Sequence, residues 1–72
     1  MTRDDPWPVL RVGESGEWVS KLQTALTKFG YRVAVDGMFG DHTETAVIHF
    51  QNGFRLIADG VVGSLTWDAL RR

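Results

Sequence analysis

Val35-Asp36-Gly37-Met38-Phe39-Gly40, followed by Thr43, Ala46 and Val47, returns 23 positions later as Ala58-Asp59-Gly60-Val61-Val62-Gly63, followed by Thr66, Ala69 and Leu70. A second self-match lies in the stretches ahead of them: Val19, Leu22, Gln23 and Leu26 return 28 positions on as Val47, Phe50, Gln51 and Phe54. The chain thus holds two copies of one unit, a helix carrying an apolar residue and Gln, a link, and an Asp-Gly turn into the next helix. In each copy the first glycine can take the positive φ of a tight turn, and the aspartate can accept hydrogen bonds from amides two or three residues on. The second glycine opens the helix, and the threonine three residues later places a hydroxyl to bond backbone near that first turn. Phe39 and Val62 are expected to plug the core. Gln23 and Gln51 have donor and acceptor in one side chain, which suits a buried amide satisfying the backbone of the following link. A ligand contact is the alternative for them.

Outward from the repeat, the chain reads as three helices. From Glu17, the residues Val19, Leu22, Leu26 and Phe29 recur at three- and four-residue steps, one stripe of an amphipathic helix that Gly30 stops. A second periodic segment runs from near Asp41 to about Phe54, with Thr43, Ala46, Val47, Phe50 and Phe54 on one face. Asp41 falls in its first turn, where unpaired amides favour a carboxylate. Gly63 and Ser64 open a last short helix carrying Leu65, Trp67, Ala69 and Leu70. Trp7-Pro8-Val9-Leu10 reads as an extended lead-in whose Trp and Leu pack down, and residues 12–16 as a turn. Residues 31–35 and 56–58 read as short extended pieces compatible with a small two-stranded ribbon. The predicted fold is all-α: a compact three-helix bundle with internal duplication and Asp-Gly turns before helices two and three. It occupies residues 7–72, behind a flexible polar segment over residues 1–6.

Composition narrows the functions. Seventy-two residues hold one small domain, which at this size buries only about 60% of its unfolded surface. There is no cysteine to staple it, so the 43% of apolar residues must supply the core. Nine acids against eight bases give a net charge of -1, with no cationic excess to neutralise phosphates, so nucleic acid is not an expected partner. No apolar run approaches a membrane span. His42 and His49 stand about 10.5 Å apart along a helix, too far to share one tetrahedral metal. Asp36-Gly37 lacks the alternating oxygen ligands of a calcium loop. No nucleophile, base and orienter gather in the sequence, so no catalytic residue, metal or cofactor is expected and the chain does not read as an enzyme. Trp7, Trp18 and Trp67 read first as core, with stacking on a ligand second. Met1-Thr2-Arg3-Asp4-Asp5 lacks the apolar core of a signal peptide. Taken as a complete chain, the protein is expected in the cytoplasm; taken as part of an exported or phage protein, in the cell wall or outside the cell.

Read together, Leu10-x2-Gly13-x2-Gly16-x2-Val19-x2-Leu22-Gln23-x2-Leu26, Gly30-Tyr31, Val35-Asp36-Gly37-x-Phe39-Gly40-x2-Thr43-x2-Ala46-Val47-x2-Phe50-Gln51 and Asp59-Gly60-Val61-Val62-Gly63-x2-Thr66-Trp67 resemble the three-helix, type 1 peptidoglycan-binding domains. The resemblance runs over roughly residues 7–70. It implies a non-catalytic module that targets cell-wall hydrolases to murein by recognising the stem peptide with nearby amino sugar. Peptidoglycan is then the partner, alongside a hydrolase. A protein-protein interaction module on the same scaffold is the alternative. The family commonly has proline after each helix-opening glycine, where this chain has Asp41 and Ser64. Its usual Gly-Leu before the second Asp-Gly is Arg55-Leu56 here, which adds a cation near any groove beside that link. Murein offers carboxylates, amides and methyl groups, and on that chemistry the expected contacts are Tyr31, Arg32, His42, Thr43, Arg55 and Trp67, around the turns that converge on helix two.

Overall fold

The apolar stripe that begins at Val19 is the inner face of α1, Glu17–Lys28, which buries Val19, Leu22, Gln23 and Leu26. Glu17 in its first turn and Lys28 in its last complement the helix dipole. In this computed structural model, which describes residues 7–72, two more helices follow: α2, Asp41–Gly53, and α3, Ser64–Leu70. The predicted flexible segment over residues 1–6 lies outside the described residues. α2 buries Thr43, Ala46, Val47, Phe50 and Gln51, and α3 buries Thr66, Trp67, Ala69 and Leu70. Phe39 and Val62, the residues between the paired glycines, are both in the core, as is Leu10 of the lead-in. The three-helix architecture read from the sequence is therefore the observed one.

Phe50 is the hub. Fully buried on α2, it meets Phe29 and Tyr31 edge-on at 5.2 and 5.9 Å between ring centroids, and stacks on Phe54 at 4.5 Å. Phe29 and Phe54 are the C-caps of α1 and α2 rather than members of their helical stripes. Beyond each cap the chain closes with the same pair of bonds. Gly30 N–H reaches Thr27 O and Tyr31 N–H reaches Leu26 O; after α2, Arg55 N–H reaches Asn52 O and Leu56 N–H reaches Gln51 O. This closure needs a left-handed residue, supplied by Gly30 at φ 94° in one case and by Arg55 at φ 59° in the other. At the opposite end of the core, Trp7 sits between Trp18 at 5.1 Å and Trp67 at 5.0 Å.

The predicted ribbon between residues 31–35 and 56–58 is not formed; neither segment is a strand. Sheet-like pairing goes instead to the lead-in. Leu10 and Val62 exchange backbone bonds at 3.1 and 2.8 Å, while Gly13 N–H reaches Phe39 O and Phe39 N–H reaches Glu14 O, both at 3.0 Å. Phe39 and Val62 are equivalent positions of the repeat, so residues 10–14, which turn at Val12 and Gly13, tie down both copies. The links turn Tyr31, Val33 and Leu56 onto the core rather than toward each other.

Candidate functional site

Each Asp-Gly corner is organised by the buried glutamine of the preceding helix. At the first corner, Gln23 Oε1 accepts from Gly37 N–H at 2.9 Å. Its Nε2 donates toward Met38 O, Thr43 Oγ1 and Asp36 Oδ1, each at 3.0 Å. At the second, Gln51 Oε1 accepts from Gly60 N–H at 2.9 Å, and its Nε2 faces Val61 O at 3.0 Å, Thr66 Oγ1 at 3.1 Å and Asp59 Oδ1 at 3.3 Å. The aspartates close the turns as expected, taking Met38 N–H at 3.0 Å and Val61 N–H at 2.9 Å. The threonines differ from expectation: their hydroxyls accept from the glutamine amide rather than bonding backbone. Gly37 and Gly60 stand at φ 76° and 77°, so an alanine at either would be strained. With both ends of a fully buried amide engaged, each glutamine fixes where its link enters the next helix. The Met38 N–H bond, and then the Gln23 amide, hold the Asp36 carboxyl below its ordinary value.

The first corner shapes an open groove of about 580 Å3 between the 32–36 link and the start of α2, lined by Arg32, Asp36, Met38, Asp41 and His42 over a Thr43 floor. A smaller depression of about 320 Å3, formed by Tyr31, Arg32, His42, Thr45 and His49, adjoins it. Arg32 and His42 belong to both, so the two form one continuous surface along α2. No side chain caps the N-terminus of α2. Arg32 is exposed and forms no ion pair among the described residues. A guanidinium with its donors free, beside an open helix N-terminus and two imidazoles, can hold a carboxylate or a string of amides. Among the described residues, no three His, Asp or Glu side chains come together as a metal cluster, and no helix is long and apolar enough to cross a membrane.

Of the six expected contacts, the structure gathers Tyr31, Arg32 and His42 on this surface. Thr43 lies beneath them, 3% exposed, with its hydroxyl occupied by Gln23. Arg55 lies in a different groove, next to α3. Trp67 is turned into the core. It is 2% exposed, packs on Trp7 and Trp18, and its indole N–H donates to Pro8 O at 2.7 Å. Its helical neighbours Thr66, Ala69 and Leu70 are buried too, which leaves it the inner face of a short helix. His49, Asp41 and Met38 were not among the expected contacts. The signal for His49 was its spacing: seven residues after His42, two turns of α2, it falls on the same stripe.

The comparisons bear on the family and the fold. Residues 15–70 match the family model of the peptidoglycan binding domain, and the chain belongs to that family. It is 39% identical over 64 residues to the zinc D-Ala-D-Ala carboxypeptidase of Streptomyces albus G, a match covering 85% of this chain and 25% of the enzyme. Among solved structures, a peptidoglycan-binding protein from Clostridioides difficile, crystallised with glutamine hydroxamate, superposes with a TM-score of 0.86 at 46% identity. That match covers 88% of this chain and 40% of the other. The SleB N-terminal domain superposes with a TM-score of 0.85 at 42% identity, covering 89% of both chains. The chain thus spans a quarter of the carboxypeptidase and most of the SleB N-terminal domain. The module is one found in cell-wall hydrolases.

Proposed function

We propose that this chain binds peptidoglycan without cleaving it, through the surface formed by Tyr31, Arg32, His42 and His49, and that it targets a wall hydrolase to its substrate. The observation that supports this reading is the continuity of the two depressions that share Arg32 and His42. An extended polymer can lie along them, with a stem-peptide carboxylate on Arg32, amides on the imidazoles and the apolar side of a sugar or methyl group against Tyr31. Contacts this open give weak binding per site, and useful retention comes from the repetition of the ligand. The protein-interaction alternative called for an exposed apolar patch containing Trp18 or Trp67 with no groove; Trp18 is 38% exposed, but Trp67 is buried and grooves are present.

The test is sedimentation with purified sacculi at low and moderate salt. The chain is expected in the pellet, and Arg32→Ala combined with His42→Ala is expected to move most of it to the supernatant while leaving its helical circular dichroism unchanged. A wild-type chain that stays in the supernatant at both salt concentrations would refute the proposal.

A further inference from the structure

The lining of the groove beside α2 recurs, position by position, beside α3. Adding 23 to Arg32, Asp36, Met38, Asp41, His42 and Thr43 gives Arg55, Asp59, Val61, Ser64, Leu65 and Thr66, and all six line a second groove of about 370 Å3. The match is a product of the duplicated corner: two backbones held by the same glutamine bonds leave the same hollow. The chemistry of the two linings differs. Asp41 and His42 of the first are replaced by Ser64 and Leu65, and Ala34 by Ile57. Ile57 is 82% exposed and Leu65 69%, so the second groove has bare aliphatic walls. Its one carboxylate, Asp59, already accepts from Val61 N–H and the Gln51 amide. Arg55 is exposed and forms no ion pair among the described residues. The result is an apolar groove with an unpaired guanidinium at its edge and one carboxylate, Asp59, whose Oδ1 is turned to the corner's own amides.

Backbone strain points to the same residue. Arg55 is the only non-glycine among the described residues with positive φ. The structurally equivalent position, where α1 closes, is Gly30. A glycine would close the turn after α2 with less crowding, so the conformation gains nothing from arginine, and what arginine adds is its guanidinium. Strain held at a groove in this way directs attention to what the side chain does there.

We propose that the groove beside α3 is a second binding site, for a short peptide bearing small aliphatic side chains and a free carboxylate. The carboxylate pairs with Arg55, and the methyl groups pack on Ile57 and Leu65. The proposal rests on the peptidoglycan reading for the natural source of such a peptide, and it gives one molecule two unlike contacts on a repeating polymer. The first groove, with Arg32, Asp41 and His42, takes the more polar portion, an internal carboxylate and its neighbouring amides. The second takes the aliphatic, anionic end.

The experiment is an amide chemical-shift titration of the isotope-labelled chain with N-acetyl-alanyl-alanine, as the free acid and as its C-terminal amide. The acid is expected to shift residues 55–58 and 61–65, and the amide form to bind about fivefold more weakly for want of the charge-assisted pair. Arg55→Gly is expected to unfold at a higher temperature and to lose the preference for acid over amide, whereas Arg55→Lys keeps most of it. Shifts confined to residues 31–49, equal response to acid and amide, or an Arg55→Gly chain that still prefers the acid would each overturn the site. Pelleting on sacculi with no response at residues 55–65 would overturn this inference and leave the first groove's function standing. A response at those residues in a chain that ignores sacculi would uphold the groove and sink the wall-binding reading.

Discussion

The two corners share their hydrogen bonds and differ in how the preceding helix ends and in part of the groove lining around them. Gln23 and Gln51 each take a glycine N–H at 2.9 Å and reach a carbonyl, a threonine hydroxyl and an aspartate. Relative to the glutamine, however, α1 runs three residues further, to Lys28, than α2, which stops at Gly53. The intervening links differ correspondingly. Gly60 is buried and Gly37 half-buried. One left-handed closure uses glycine and the other arginine. The difference teaches where the constraint lies. The amide network sets the entry of each following helix and is kept, while helix length and groove lining vary without disturbing it.

The comparison can be broken most sharply at the glutamines. Gln51→Leu keeps the volume but leaves Gly60 N–H and Val61 C=O without partners in a dry site. At about 1–3 kcal/mol for each orphaned group, the loss is roughly 4 kcal/mol, a large part of the ~4–11 kcal/mol available to a chain of this length. Gln23→Leu should cost less, about 2 kcal/mol, because water can reach the half-buried Gly37 and serve it. Urea denaturation of the pair measures both, and the reverse order would mean that burial is not what separates the corners.

A smaller effect is expected at the turn glycines. An added Cβ at Gly60 would stand 3.0 Å from Glu44 Cγ, and at Gly37 3.1 Å from Ser20 Oγ, both at positive φ. Each alanine substitution should lower stability by about 1–2 kcal/mol, more at Gly60, where the neighbour is a methylene rather than a hydroxyl. Smaller again is the exchange at the helix closures. Arg55→Gly should stabilise the fold by roughly 0.5 kcal/mol, as relief of left-handed crowding outweighs the added freedom of the unfolded chain. Gly30→Ala should destabilise it by about 1 kcal/mol, and thermal unfolding reads both.

The smallest effect is a pH dependence. The Asp36 carboxyl lies below its ordinary value when folded, so its contribution is fully present above the unfolded value near ~4 and fades as pH falls through the lower, folded one. Asp36→Asn keeps an acceptor oxygen but no charge, and its stability should fall less than that of the wild type as the pH drops below about 4. Parallel profiles for the two chains would remove that role from Asp36.

The helices were legible because Val19, Leu22 and Leu26, and again Val47 and Phe50, carry the helical period directly. The corners were legible because the repeat presents every corner residue twice. The ribbon misled because 31–35 and 56–58 have extended composition, while the partner of Phe39 and Val62 is a lead-in whose pairing depends on tertiary placement. Trp67 misled for a related reason: helical spacing says which residues share a face, and in a seven-residue helix it does not say which face is inward. Leu65, placed on the same helix, is the one that looks out. Arg32 and Arg55 looked like neighbours around α2, and only the fold shows that the repeat sends them to separate grooves.

Native-state amide exchange at Gly37 and Gly60 tests most directly the claim that a buried glutamine fixes each corner. Both N–H groups should be strongly protected, Gly60 exchanging only through global unfolding and Gly37 at the same rate or somewhat faster. Exchange of either amide at the rate of an unstructured peptide, in a chain whose helical amides remain protected, would contradict it.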